Sequence, residues 1–257
     1  MTDQVMISVS GRVMRIRMNR PEKKNALTQA MYRGLAQAIE RAEADSAVRV
    51  MTISGVGEAF TSGNDLKDFL DTPAMGPDAP VMRFLSTLAL ARKPLIGAVN
   101  GLAVGIGVTM LLHCDLVYAV EEAVFQLPFV NLGVVPEAAS SLLLPRLVGH
   151  QRAAELLFFG DRFDARRALG LGLVNSLHSA SALEGAVASA AEALAAKPPG
   201  ALRLTKELLK GAALRGAVEA RMEEERVHFE SRLQSAEARE AMQAFLEKRP
   251  ADFSGFS

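Results

Sequence analysis

Glu137 is the single acid in an otherwise small and apolar stretch, NLGVVPEAASSLLLPRLVG (131–149). A carboxylate in such surroundings can act as a general base, because burial disfavours its charge and raises its proton affinity toward neutral pH. A plainer role is also open: Pro-Glu is a favoured helix start, and an acid in a first turn gains roughly 0.3–1 kcal/mol from the helix dipole. Taken singly, Glu137 fits the helix start better. Two glycine turns offer complementary chemistry. In EAFTSGNDLKDF (58–69) a strand ends, a Ser-Gly turn follows and a helix is expected to begin near Asn64 or Asp65. Amides exposed there suit a developing negative charge, although a simple cap by Asn64 or Asp65 explains the residues as well. In VNGLAVGIGVTMLL (99–112) Gly101, Gly105 and Gly107 follow an apolar strand. A dinucleotide fingerprint needs another glycine where Met110 stands, and no GKS or GKT element occurs. Gly105 and Gly107 instead permit a tight turn that presents the Ile106 amide, or simply close helix packing.

Other reactive side chains offer less. His113, His150, His178 and His228 lie far apart, and HCD (113–115) lacks a second cluster at ligand spacing, so no metal site is expected. Cys114 ends an apolar helix and reads as a small buried residue. No GxSxG elbow occurs.

The elements that must position these residues follow a repeating order. Val5, Ile7 and Val9, then Val13, Ile16 and Met18, flank a Ser10-Gly11 turn and predict a hairpin. Thr28 precedes Met31, Leu35 and Ile39 at helical spacing, and VRVMTISG (48–55) returns to strand character. DTPAMGPDAP (71–80) reads as a mobile loop feeding a helix around Met82 to Ala91. The strand PLIGAV (94–99), an apolar helix over 105–113 and the short strands in DLVYAV and AVFQLP come next. Strand pairs alternating with helices predict an α/β spiral of strand–strand–helix turns with parallel pairing. Beyond residue 178 the composition shifts to Ala, Glu, Arg and Leu, with AKPPGA (196–201) as the clearest break. We place a boundary there, giving a core over 1–196 and a helical region over 197–257. The tail stripe of Met222, Phe229, Leu233, Met242, Phe245 and Leu246 is amphipathic and calls for cover from the core or another subunit.

The totals narrow the function further. The 257 residues carry 29 Lys plus Arg against 29 Asp plus Glu and are 49% hydrophobic, which supports a large core and gives no net field toward nucleic acid or anionic membranes. No stretch approaches about 20 uncharged apolar residues, no signal-peptide pattern opens the chain, and one cysteine makes no internal disulfide. A cytoplasmic protein is expected.

Taken together, NRPEKKNALT (19–28), AFTSGNDLKDF (59–69), KPLIGAVNGLAVGIG (93–107), LGLVNSL (171–177) and AMQAFLEKRPADF (241–253) resemble the crotonase superfamily, the enoyl-CoA hydratase/isomerase family. The likeness spans nearly the whole chain. It implies a crotonase-type α/β spiral, a C-terminal helical trimerisation region, a homotrimer or dimer of trimers, and an acyl-CoA thioester substrate. Coenzyme A then enters with the substrate, and no other cofactor or metal is implied. The amides of Asn64 and Ile106 become the oxyanion hole, whose loss typically costs about 2.7–4 kcal/mol per donor. Lys24, and Lys248 from a neighbouring subunit, become candidates for the CoA phosphates. The likeness also places Ala26, Ala59, Thr61, Ser62, Gly63, Asp65, Leu66, Gly105, Phe129 and Pro136 around the substrate.

The departures carry the finer reading. Hydratases of the family hold one catalytic glutamate where Thr109 stands, and a second, in a Q-P-E element, where Phe129 stands. PEAASS (136–141) instead resembles the P-E-G-C-S-S element of monofunctional Δ3,Δ2-enoyl-CoA isomerases, and Glu137 matches its single acid. That likeness implies a proton shuttle between carbons 4 and 2 of a 3-enoyl-CoA. A hydratase, hydrolase or dehalogenase, and a catalytically silent CoA-binding module, are the alternatives. A helix start lowers the pKa of Glu137, whereas Val134, Val135 and Leu142 raise it if they line its pocket; the sequence leaves the winner open.

Overall fold

The computed structural model describes residues 4–65, 67, 68, 76, 78–247 and 249–256, with Leu246 described in its backbone alone. β1 (Val5–Ser10) and β2 (Val13–Met18) form the expected antiparallel hairpin. Its turn falls on Gly11 and Arg12, both at positive φ. The Thr28 side chain accepts a 3.2 Å hydrogen bond from the Met31 amide and so caps α1 (Gln29–Ala44), whose Met31, Leu35 and Ile39 are fully buried.

The spiral proper begins with β3 (Val50–Gly55) and β4 (Ala59–Thr61) and continues through α2 (Pro80–Leu90). A second turn supplies β5 (Leu95–Val99), β6 (Leu102–Val104) and α3 (Ile106–Thr109). A third supplies β7 (Leu116–Val120) and β8 (Val124–Gln126). The first strand of each turn enters a six-stranded sheet of order β1-β2-β3-β5-β7-β10, and the second enters a four-stranded sheet of order β4-β6-β8-β9. Here β9 is Phe163–Asp164 and β10 is Ser176–His178. Pairing is parallel except in the opening hairpin and between β8 and β9. β5 is buried at every position, as a strand inside a parallel sheet covered on both faces must be.

The remaining helices are α4 (Ser140–Val148), α5 (His150–Phe159), α6 (Ala165–Gly170), α7 (Leu183–Ala195), α8 (Pro199–Lys210), α9 (Ala212–Leu233) and α10 (Ala236–Glu247). The break at AKPPGA falls between α7 and α8. Lys206 pins α8 to the core, its buried ammonium bonding the Asp115 carboxylate and the Lys93 carbonyl at 2.7 Å each. Among the described residues no helix is long and apolar enough to cross a membrane.

Two expectations need correction, and a third is decided. The apolar helix over 105–113 is α-helical only in α3 and tightens into a 3-10 turn over Met110–His113. Glu137 is not in a first helical turn: α4 starts at Ser140, and Ala138 and Ala139 between them hold left-handed φ of 60° and 55°. Of the two covers open to the tail stripe, the core of the same chain takes most of it. Met222 and Met242 are buried, and Phe229 and Leu233 pack against the core, while Phe245 stays 63% exposed. Most of the loop read over 71–80 lies outside the described residues.

Candidate active site

Both glycine turns open onto one cavity of about 790 Å³, lined by Ser62, Gly63, Asn64, Gly105, Ile106 and Glu137 among others. The Asn64 turn is held by β-type pairing. The Leu27 amide bonds the Gly63 carbonyl at 2.8 Å, and the Asp65 amide bonds the Leu27 carbonyl at 2.9 Å. In that parallel bridge the N–H of Asn64 itself points away from Leu27. Asp65, rather than Asn64, caps the segment that follows, accepting from the amides of Lys67 and Asp68 at 3.1 Å.

Ile106 is the first residue of α3, so its amide has no partner within the helix. Gly105 reaches it with φ 56° and ψ −116°, a conformation that a side chain would strain. Gly107 serves the plainer purpose of close packing, because a Cβ there would stand 2.7 Å from the Thr61 Cγ2. A Cβ on Gly63 would likewise stand 3.1 Å from the Val104 carbonyl. The two turns therefore pack on one another through glycine.

Glu137 lies between this cavity and a smaller one of about 50 Å³, whose wall includes Met82, Leu85, Met222 and Phe229. Desolvation pushes its carboxyl up to about 8, against the Thr109 hydrogen bond, which lowers it, and with the Glu225 charge adding to the rise. Burial therefore wins the contest that the sequence leaves open. Val134 lines the cavity, whereas Val135 and Leu142 do not. Among the described residues its one side-chain hydrogen bond comes from the Thr109 hydroxyl at 2.5 Å. Thr109 is itself fully buried.

The turn after Glu137 is pinned from three directions. The Ala139 amide bonds Glu225 Oε2 at 2.6 Å, and the Ser141 amide and hydroxyl bond Glu225 Oε1 at 2.9 and 2.5 Å. The His113 ring nitrogen Nε2 meets the Ala138 carbonyl at 2.8 Å. A carbonyl only accepts, so Nε2 carries hydrogen, and burial holds the ring down to about 4, neutral at physiological pH. These contacts offset the roughly 1–2 kcal/mol that each left-handed alanine costs. Burial and the Asp115 charge push the Cys114 thiol up to about 12, consistent with an inert side chain. No cluster able to hold a metal exists among the described residues.

The expected site residues divide. Lys24, Ala26, Ser62, Gly63, Asn64, Asp65, Gly105, Ile106, Phe129 and Glu137 all line the larger cavity. Ala59 and Thr61 do not, because β4 is interior. Thr61 turns its hydroxyl to the Asn25 carbonyl at 2.7 Å and accepts from the Gly63 amide, so it supports the turn from beneath. Pro136 also lies outside the wall and contributes a fixed φ ahead of Glu137. Asp65 is tied to Arg20 at 2.5 Å; burial raises its carboxyl, but Arg20 and the two amides bring it below its ordinary value. Leu66 and Lys248 lie outside the described residues.

Sequence reasoning missed three contributors. Tyr32 donates its hydroxyl to the Asn64 side chain and is raised well above the usual phenol range by burial and by Glu137. Glu225 reaches the turn from α9. Phe229, Leu233 and Met242 line the cavity from the tail of the same chain. Tyr32 and the tail residues sit at helical spacing with ordinary core residues, which hides them.

The chain matches the enoyl-CoA hydratase/isomerase family model over residues 8–255. It is 36% identical over 252 residues to enoyl-CoA delta isomerase 2 of Rattus norvegicus, covering 96% of this chain but spanning only 64% of that protein's length. It is 33% identical over 262 residues to 1,2-epoxyphenylacetyl-CoA isomerase of Escherichia coli K12, covering 99% of this chain and 100% of that one. The crystal structure of an enoyl-CoA hydratase/isomerase from Pseudoalteromonas atlantica T6c superposes with a TM-score of 0.94 at 41% identity, over 98% of this chain and 100% of that one. The chain therefore belongs to the enoyl-CoA hydratase/isomerase family, the crotonase superfamily.

Proposed function

We propose that this protein isomerises 3-enoyl-CoA to 2-enoyl-CoA, with Glu137 as the one acid–base residue. Ionised Glu137 takes a proton from carbon 2, and the electron pair delocalises into the thioester carbonyl and the adjacent double bond. The amides of Asn64 and Ile106 hold the resulting oxyanion. Protonated Glu137 then returns the proton to carbon 4, which leaves the double bond between carbons 2 and 3. No atom is gained or lost, so no water has to be activated. The name of the rat relative, an enoyl-CoA delta isomerase, supports this reading. Lys24 and its neighbour Lys23 are among the cations that line the cavity and are offered to the CoA phosphates.

The observation that carries the reading is the setting of Glu137: its carboxyl, shifted by desolvation to about 8, faces the cavity with the Thr109 hydroxyl as its one side-chain hydrogen-bond partner among the described residues. A carboxyl with proton affinity near neutral pH can both take and return a proton within one turnover. NMR of the product formed from a 3-enoyl-CoA in deuterated water tests it. The expected product is 2-enoyl-CoA with part of the original protium at carbon 4. Accumulation of 3-hydroxyacyl-CoA as the main product would overturn the assignment.

A further inference from the structure

We propose that Glu225 is a positioning residue for this reaction: from α9 it fastens the Ala138–Ala139 turn and occupies the amide-rich start of α4, leaving Glu137 free to act as a base. The proposal rests on the reading of Glu137 as that base.

The start of a helix attracts one anion strongly, through unpaired amides and the helix dipole. At α4 these amides are already taken. Those of Ala139 and Ser141 go to Glu225, and that of Ser140 goes to the main-chain carbonyl of Glu137 at 3.0 Å. The Glu137 carboxyl receives none of them. Each hydrogen bond to Glu225 comes from a donor, the pattern an ionised carboxylate requires. The Ser141 hydroxyl, which donates to Glu225, accepts in turn from Arg221 at 3.4 Å.

The other charges around the pair are largely neutralised among themselves. Arg221 pairs with Glu224 at 3.3 Å, and Arg226 pairs with Glu223 and Glu230 at 2.6 and 2.7 Å. Arg226 and Glu230 face Glu137 across the smaller cavity. Tyr32 from α1 is a neutral phenol, and His113 beneath the turn is a neutral imidazole. Among the described residues these pairings leave the charge of Glu225 acting on Glu137, and it opposes ionisation there. A carboxylate that holds three donors thus keeps its neighbour short of them. The tether also spans the chain, since Ala139 and Glu225 are 86 positions apart. The α9 helix consequently holds the catalytic turn as well as the tail.

The test separates charge from tether. Glu225→Gln keeps an acceptor and the side-chain length but removes the charge; Glu225→Asp keeps the charge but shortens the reach. Glu137 is followed through the infrared stretch of its protonated carboxyl, identified as the band that Glu137→Gln abolishes. In Glu225→Gln that band should titrate at lower pH than in the wild type, and the acid limb of kcat should move with it. About a threefold gain in rate at pH 6.5 relative to each variant's own plateau is expected. In Glu225→Asp the midpoint should stay near the wild-type value while kcat falls about tenfold, with binding of a saturated acyl-CoA retained. An unmoved band in a folded Glu225→Gln overturns the proposal, and so does a midpoint that falls equally in both variants. Failure of the underlying reading is seen separately, as wild-type turnover by Glu137→Gln.

Discussion

Two buried carboxyls flank the same left-handed turn, and they are treated in opposite ways. Glu225 has three donors, from Ala139 and Ser141, whereas Glu137 has the Thr109 hydroxyl alone among the described residues. Both are raised by burial, but only Glu137 reaches about 8. Burial is the largest cause in both, but hydrogen bonds from Ala139 and Ser141 and the Arg221 charge pull Glu225 back, whereas Glu137 has only the Thr109 hydrogen bond against burial and the Glu225 charge. On the proposed reading the amides at the start of α4 go to the structural acid and not to the reactive one, a distribution that 3.6-residue periodicity does not reveal.

The strongest way to break the comparison is to remove the reactive member. Glu137→Gln keeps the size and an acceptor for Thr109, and should lower kcat by about 10²–10⁴-fold with acyl-CoA affinity held. Steady-state kinetics beside calorimetric binding would check it, and a near-wild-type rate would return Glu137 to a structural role. Attacking the cavity from the opposite wall should cost somewhat less. Ile106→Pro fits a first helical position but deletes the amide, and about a 10²-fold loss in kcat is expected. Asn64→Ala retains its amide and should lose under tenfold; its side chain is nonetheless engaged by Tyr32, so some loss is expected.

Sharper readouts come from smaller effects. Thr109→Val removes the one hydrogen bond that lowers the Glu137 carboxyl, so the acid limb of kcat should move to higher pH, with about a tenfold loss at pH 7. A midpoint that falls or stays would contradict this assignment of Thr109. Stability supplies the last prediction. The proton of Glu137 is held more tightly in the folded chain than in the unfolded one, so stability falls as pH rises from the unfolded value near 4.5 to the folded value near 8. Glu137→Gln removes this loss, and thermal melts should show it several degrees more stable than wild type at pH 8 but close to it at pH 4. A reactive group that costs stability is the expected sign of a site selected for chemistry.

Much of this was legible in the sequence, and the limits have physical reasons. The hairpin, the Thr28 cap and the strand–helix alternation are written in local periods and turn residues, and they stand in the structure as expected. The two glycine turns were legible as amide-presenting turns because positive φ favours glycine, as Gly63 and Gly105 display. The turn after Glu137 was not, since Ala138 and Ala139 carry no mark of left-handed backbone. Taken singly, Pro-Glu accordingly read as a helix start. Glu225 was out of reach for another reason. Its partners lie more than 80 positions away, and within α9 it is one of many acids. The tail stripe was correctly seen to need cover, but amphipathicity does not say which surface covers it, and much of that surface is the chain's own cavity wall.

The close packing of Gly107 on Thr61 has a use beyond the native reaction. Because the missing side chain sets how near the two amide-bearing turns can approach, it acts as a gauge block for the distance between the donors. A redesign that admits bulkier acyl groups should therefore leave that contact alone and enlarge the opposite face, at Phe229, Met242 or Leu85. Those side chains line the cavities without belonging to either turn, so trimming them leaves the spacing of the two turns as it is.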